Sequence, residues 1–116
     1  HQQIGLCYGA TVGLIGRVAP GEGYEGAFRE RGFLEVEVNR DGLFAGLPHR
    51  IAVWESHCDE LKELPQGFEV TASNATCAIQ AMQHTSRALF GVQFHPELFD
   101  SSHPHGRHIL ESFLAR

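Results

Sequence analysis

The strongest constraint in the sequence is the stretch from residue 91 to residue 97, Gly-Val-Gln-Phe-His-Pro-Glu. Residues 88–94 are mostly apolar and predict a strand of ordinary length, with His95 at the point where the strand ends. Pro96 fixes its own φ angle and holds His95 in an extended conformation. Because residues i and i+2 of an extended segment point to the same side, we expect Glu97 to lie beside His95.

The pair of His95 and Glu97 predicts acid–base chemistry at the mouth of this sheet. A carboxylate beside an imidazole fixes its tautomer and raises its basicity, as the orienting group does for a catalytic base. The alternative is a strand-end histidine that only caps a turn, and the rest of the chain decides between the two.

The remaining pattern predicts a run of β-strands with a helix at each end of the chain. Residues 33–38 alternate between apolar side chains and glutamates, which is typical of a half-buried strand. Further strands are predicted at residues 11–15, 50–55, 68–73 and 78–83, a helical turn at 60–64, an exposed loop at 17–31, and helices at 1–8 and 107–116. The apolar face of the last helix, with Ile109, Phe113 and Leu114, is predicted to belong to the core.

A sheet of this size needs cover on both faces, and one short helix at each end supplies too little. We therefore expect an α/β fold in which residues 1–116 form the C-terminal part of one larger domain. The N-terminal part would contribute central parallel strands and helices.

Composition excludes several classes of function. The chain is 42% hydrophobic and 20% charged, which is typical of a globular domain. Its formal charge of −5 argues against a nucleic-acid-binding surface, and it lacks the run of about 18 apolar residues that a membrane span needs. The three cysteines have neither zinc-site nor Cys-x-x-Cys spacing, so we expect reduced thiols and a cytoplasmic location.

The stretch at 91–97 resembles the histidine–glutamate motif of class I glutamine amidotransferases, the triad family with a cysteine nucleophile. The resemblance continues in Leu-Phe-Ala-Gly-Leu-Pro at 43–48, Trp-Glu-Ser-His-Cys-Asp-Glu at 54–60, Leu-Pro-Gln-Gly-Phe at 64–68 and the tail from 104 to 113. Within the family, the chain is most similar to the amidotransferase domain of GMP synthetase. The resemblance implies a three-layer, open-sheet, flavodoxin-like α/β fold, of which only the C-terminal part is present.

Two registers compete for the position of the nucleophile. In the first, residues 5–9 (Gly-Leu-Cys-Tyr-Gly) are the Gly-x-Cys-x-Gly elbow, with Cys7 on the strained turn between strand and helix. In the second, His1-Gln2 is the His-Gln that follows Cys-x-Gly in this family, so the nucleophile precedes His1 and Cys7 is a buried helix cysteine. The second register is favoured because no His-Gln follows Gly9.

The resemblance implies hydrolysis of the glutamine side-chain amide through a γ-glutamyl thioester. The upstream cysteine would attack, His95 would take and return protons, and Glu97 would hold the imidazole. Gln2 would contact the substrate glutamine. Ser56 and His57 would hold its α-carboxylate through backbone groups, although Cys58 replaces a smaller residue that is usual in the family.

The partners implied by the resemblance are glutamine and a synthetase domain or subunit that accepts the ammonia; no cofactor, nucleic acid or membrane is expected. One alternative is a γ-glutamyl peptidase or hydrolase on the same fold. Another is a non-catalytic amidotransferase-like module. The intact His95-Pro96-Glu97 favours the enzyme.

Two further clusters are weaker candidates. His103, His105 and His108 lie close together but without a pattern of cysteines or carboxylates, so no metal site is predicted. Residues 21–26 are rich in glycine, but they lack the Lys-Ser or Lys-Thr of a phosphate loop, and their glutamates would repel phosphate.

Overall fold

The computed structural model describes residues 1–15, 30–39, 41–57 and 59–115. The glycine-rich segment at 21–26, most of the predicted loop at 17–31, and Cys58 lie outside these ranges. The helices are α1 (Gln2–Cys7) and α2 (His105–Leu114), and a 3-10 helix spans Gly42–Phe44. The strands are β1 (Val12–Leu14), β2 (Glu30–Val38), β3 (Arg50–His57), β4 (Asp59–Leu61), β5 (Phe68–Ser73), β6 (Ala81–His84) and β7 (Phe90–Val92). The predicted α/β class is confirmed.

Five strands form an antiparallel sheet in the order β3-β2-β5-β6-β7, and β1 pairs with β4 separately. The longest pairing joins β2 to β3, in register from Glu30 opposite His57 to Glu37 opposite Arg50. Just beyond β7, His95 forms an isolated bridge with Trp54 of β3. Because β3 and β7 are the two edges of the sheet, this bridge shows that the sheet curls and brings the end of β7 to β3.

The main core follows the alternation of β2 and β3. Val36 and Val38 are buried while Glu35 and Glu37 are exposed, as the sequence pattern predicts. These side chains pack with residues of β3, the 3-10 helix, β5, β6, α2 and the segments that follow the 3-10 helix and β7, namely Phe44, Leu47, Ile51, Val53, Ala72, Ala81, Phe94 and Ile109. The buried face of β3 does not end at Val53, because Glu55 two residues later is also completely buried.

A second cluster packs α1 against the sheet. Its buried members are Ala10, Leu61, Phe68, Ile79 and Met82, and Ile4 and Tyr8 of the first helix region pack against them. The helical turn predicted at residues 60–64 is wrong, since β4 is extended and pairs with β1. Packing of Leu61 in this cluster outweighs the local helical pattern, which is short and therefore weak.

The terminal helix is confirmed, but its predicted core face is partly wrong. Ile109 is buried, whereas Phe113 and Leu114 are 50% and 79% exposed. The first turns of α2 pack through Gly106 against Pro96 and through Ile109 into the main core. In the last turn, the Phe113 ring meets the Phe90 ring of β7 edge-on and stays half exposed. Neither helix in the described ranges is long and apolar enough to cross a membrane.

Candidate functional site

One cleft of about 720 Å³ gathers all five residues that the sequence assigned to the site. They are Gln2, Ser56, His57, His95 and Glu97, and the other lining residues are His1, Val12, Asp59, Val92, Gln93 and Phe94. The N-terminus of α1, the end of β3 and the segment after β7 therefore meet at one place. These three segments are far apart along the chain, and the curl of the sheet brings them together.

His95 is held at the cleft by its backbone. The strand predicted over residues 88–94 is shorter in the structure, β7 ending at Val92. The chain then turns towards β3, and the His95 amide donates a hydrogen bond of 2.8 Å to the Trp54 carbonyl oxygen. His95 Nδ1 lies 3.5 Å from Glu97 Oε2, and both side chains are partly exposed to the cleft. The predicted neighbourhood of the two side chains is confirmed.

Helix α2 supports this segment from behind. Gly106 is buried, and a Cβ atom at that position would overlap the Pro96 carbonyl oxygen. The close approach requires glycine, because any larger residue would push the helix away from the His95–Glu97 segment. The backbone of the pair is thus fixed on one side by β3 and on the other by α2.

Gln2 lies in the first turn of α1 and is held by a residue that was not predicted from the sequence. Its Nε2 donates a hydrogen bond of 2.5 Å to Oε1 of Gln93, which is buried. The Gln93 amide in turn donates to the Gln80 carbonyl oxygen at 2.7 Å. Gln93 is a polar residue within the apolar run at 88–94, and this contrast in the sequence could have identified it.

Ser56 is exposed at the end of β3, whereas the His57 imidazole is buried. His57 Nδ1 lies 2.8 Å from the Asp59 carbonyl oxygen, and Nε2 lies 2.8 Å from Glu30 Oε1. Both partners only accept hydrogen bonds, so both ring nitrogens must donate and the imidazole carries a positive charge. Both ring nitrogens of His57 are therefore occupied by hydrogen bonds to these groups.

Glu30, Glu55 and His57 form a buried charge cluster at the ends of β2 and β3. Glu55 Oε1 lies 3.4 Å from His57 Nε2. Burial alone would lower the pKa of His57, but the hydrogen bond to Glu30 and the proximity of Glu55 outweigh burial and raise that pKa to about 10. Burial raises the pKa of Glu55. For Glu30, hydrogen bonds from His57 and two other side chains outweigh burial and lower the pKa.

Neither glutamate of this cluster was predicted from the sequence. Glu30 falls in the segment predicted as an exposed loop, but it begins β2 opposite His57. Glu55 continues the buried alternation of Ile51 and Val53, which is a signal that could have identified it.

The cluster is also the one group in the described ranges with donor atoms close enough to hold a metal ion, all within 4.8 Å of one another. The three C-terminal histidines have separate partners instead. His103 Nδ1 lies 3.0 Å from Asp100 Oδ1, His105 Nδ1 accepts from the Ala52 amide, and His108 Nε2 donates to the Ala45 carbonyl oxygen.

Cys7 fits neither description that the sequence offered. It lies in the last turn of α1, not on a turn that begins a helix, so the elbow geometry of the first register is absent there. It is also exposed and not buried, since it faces away from the core that α1 covers. Cys7 does not line the cleft.

The arrangement combines a partly exposed imidazole–carboxylate pair with polar groups on two other walls. Such a pair can transfer protons to and from a group bound in the cleft. Gln2 offers an amide for orienting a polar ligand, and Ser56 with the neighbouring backbone offers further hydrogen-bonding groups.

Comparison with known proteins gives matches along the whole chain. A family model described as glutamine amidotransferase class-I matches residues 1–116. A glutamine-hydrolyzing GMP synthase subunit of Pyrococcus abyssi is 42% identical over 111 residues, covering 95% of this chain and 57% of that protein. The glutamine-hydrolyzing GMP synthase of Caldicellulosiruptor saccharolyticus is 39% identical over 112 residues, covering 96% of this chain and 21% of that protein.

A solved structure of a protein described as a GMP synthase subunit also matches this chain. The crystal structure of a protein from Thermoplasma acidophilum, described as a GMP synthase subunit, superposes with a TM-score of 0.81 at 36% identity. The match covers 98% of this chain and 51% of that one. The chain therefore spans about half the length of the GMP synthase subunits that it matches.

Proposed function

Because this chain belongs to the glutamine amidotransferase class-I family, we propose that the complete protein hydrolyses the side-chain amide of glutamine and passes the ammonia to an acceptor. The observation that carries this proposal is the His95–Glu97 pair, which shares one cleft with Gln2 and Ser56. An enzyme of this kind needs a proton-transfer group, an orienting carboxylate and a polar pocket for the substrate, and the cleft supplies candidates for each.

In the proposed reaction, a cysteine thiolate attacks the amide carbon of glutamine and forms a γ-glutamyl thioester. His95 takes the thiol proton and gives it to the departing amine, so that ammonia leaves. It then removes a proton from the water that hydrolyses the thioester. Glu97, 3.5 Å from Nδ1, keeps the ring oriented and stabilises the imidazolium that forms twice in each cycle.

We assign the nucleophile to a cysteine upstream of His1, in a Cys-x-Gly that precedes His1-Gln2. In this assignment, residues 1–116 are the C-terminal part of one amidotransferase domain. The position of α1 supports it, because His1 and Gln2 at the start of the helix line the cleft while Cys7 at its end does not. A nucleophile just before the helix would lie beside His95.

Gln2 and the Ser56–His57 segment are the proposed contacts of the glutamine substrate. The hydrogen bond to Gln93 already fixes the orientation of the Gln2 amide. The hydrogen-bonding atoms of Gln2 that remain are therefore held in one orientation for the substrate. Because the His57 imidazole is bound to Glu30 and Asp59, any contact of this residue with substrate comes from its backbone.

The proposed acceptor of ammonia is a GMP-forming synthetase subunit or domain, since relatives are named either as one subunit of GMP synthase or as a longer GMP synthase chain. A cytoplasmic location agrees with the free thiols of Cys7 and Cys77.

The thioester itself tests the proposal. The full-length protein is mixed with glutamine, quenched in acid and mapped by mass spectrometry, in the wild type, in a variant of the upstream cysteine and in Cys7→Ser. We expect a γ-glutamyl adduct on the upstream cysteine in the wild type and in Cys7→Ser. A wild type that forms no adduct and releases no ammonia contradicts the proposal, and preferential cleavage of γ-glutamyl peptides would identify a hydrolase instead.

A further inference from the structure

Beneath the cleft, Glu30 is the centre of a buried hydrogen-bond network. Its carboxylate accepts three hydrogen bonds: 2.8 Å from His57 Nε2, 2.7 Å from Gln80 Nε2 and 2.6 Å from Asn74 Nδ2. The donors come from β3, from the segment before β6 and from the β5–β6 turn. One side chain of β2 thus fixes three separate segments to one another.

The network continues to both walls of the cleft. On one side, His57 Nδ1 donates to the carbonyl oxygen of Asp59, so the imidazole joins the end of β3 to the start of β4. On the other side, the Gln80 backbone carbonyl accepts from the Gln93 amide, and Gln93 orients Gln2. Of these residues, His57, Asp59, Gln93 and Gln2 line the cleft.

A contribution to the stability of the fold does not by itself explain this buried charge cluster. Removing two carboxylates and an imidazolium from water is costly, and apolar residues of similar volume often replace buried ion pairs without loss of stability. Glu55 is completely buried, and neither of its carboxylate oxygens has a well-aligned hydrogen bond among the described residues. His57 Nε2 lies 3.4 Å from its Oε1 but is already bonded to Glu30. A cost of this kind at the base of a cleft is typical of functional positions.

We propose that Glu30 and His57 are positioning residues, which hold the end of β3 and the start of β4 in the arrangement that binds the α-carboxylate end of the substrate. This inference rests on the proposed glutamine hydrolysis. With both ring nitrogens bound, the imidazole sets the distance between the end of β3 and the start of β4. The exposed Ser56 and its neighbouring backbone groups are then presented to the cleft in one fixed arrangement.

The test compares two identical substitutions on the same strand in the full-length protein. Glu30→Gln replaces an acceptor of three hydrogen bonds by an amide, whereas Glu35→Gln alters an exposed residue of β2 that does not line the cleft. We expect Glu30→Gln to raise KM for glutamine roughly tenfold and to change kcat by no more than about twofold. This pattern arises when the bound substrate and the transition state lose the same amount of binding energy. Glu35→Gln leaves both constants unchanged.

A merely structural role predicts a different pattern, in which Glu30→Gln lowers the melting temperature and the active fraction while KM stays the same. Asn74→Asp provides a second variant if Glu30→Gln does not fold. It keeps the side-chain oxygen that caps the turn but places a carboxylate against Glu30 Oε2, and we expect a smaller rise in KM.

Three outcomes overturn the inference. An unchanged KM in folded Glu30→Gln or Asn74→Asp removes the positioning role while glutamine hydrolysis by the wild type stands. A wild type that does not hydrolyse glutamine removes the proposed function and this inference together. A stoichiometric divalent metal in the purified wild type, lost in Glu30→Gln, identifies the cluster as a metal site instead.

Discussion

The molecule contains two histidine–carboxylate pairs that share their chemistry and differ in their surroundings. His95 and Glu97 are 3.5 Å apart, and their side chains are 45% and 59% exposed. His57 and Glu30 are 2.8 Å apart, and theirs are 8% and 2% exposed. The first pair lies in one short segment after β7, and the second joins two strands.

The difference assigns a separate role to each pair. A base must exchange its proton with substrate, so one ring nitrogen has to be available, and His95 Nε2 meets that need if Nδ1 faces Glu97. His57 has both nitrogens engaged, and its raised pKa of about 10 keeps it charged at neutral pH. The exposed pair is therefore suited to chemistry and the buried pair to holding the pocket.

Replacing the exposed carboxylate should reduce catalysis without reducing stability. Glu97→Gln keeps the size of the side chain but removes the charge that stabilises the imidazolium, so we expect kcat for glutamine to fall roughly 10–100-fold. The melting temperature should hardly change, because surface substitutions alter stability little. Glu69→Gln, also exposed, is the matched control. Equal kcat values for the two variants would mean that Glu97 does not act on His95.

The support of the exposed pair can be tested at Gly106. An added methyl group in Gly106→Ala would overlap the Pro96 carbonyl oxygen, so α2 or the His95–Glu97 segment must shift. We expect a loss of about 1–3 kcal/mol in the free energy of unfolding and a fall in kcat of about tenfold. Glu111→Ala on the exposed side of α2 is the control. A variant as stable and active as the control would show that this contact does not hold the segment.

The buried pair predicts a loss of stability at alkaline pH. The pKa of His57 is about 10 in the folded protein against 6.5 ordinarily, so its stabilisation is complete below pH 6.5 and disappears as pH rises towards 10. The raised pKa of Glu55 acts in the same direction above its ordinary value of 4.5, whereas the lowered pKa of Glu30 removes stability only in acid. From pH 6.5 to about 9, we expect the wild type to lose about 1–3 kcal/mol in urea unfolding.

His57→Gln is the comparison for this titration. It lacks the titrating ring, so its free energy of unfolding should be lower at pH 6.5 and should change less between pH 6.5 and about 9. Parallel curves for wild type and variant would show that His57 is not the group responsible.

The exposed pair could be predicted from the sequence because its signal is local. A strand that ends at His95, a proline that fixes the backbone and the i+2 position of Glu97 all lie within one segment. Gln2 and Ser56 followed from the family resemblance. The α/β class and the alternation of β2 were likewise readable from short-range patterns.

The buried pair could not be predicted because its signal is tertiary. Glu30 and His57 are 27 residues apart and meet only through the register of β2 and β3. The surrounding charge and glycine predicted an exposed loop at Glu30. Tertiary packing also overrides the local sequence pattern at Leu61, which is extended and not helical. Phe113 was predicted to be core, but only one side of its ring is packed, against Phe90, and half of the side chain is exposed.

The role of His95 is tested directly by the rate at which the full-length protein with His95→Ala releases ammonia from glutamine. His49→Ala is the matched control, since that imidazole is 61% exposed and lies outside the cleft. We expect His95→Ala to lose activity by about 10³-fold with nearly unchanged melting temperature, and the control to retain it. Equal rates for the wild type and His95→Ala would show that the exposed pair does not perform the proton transfer.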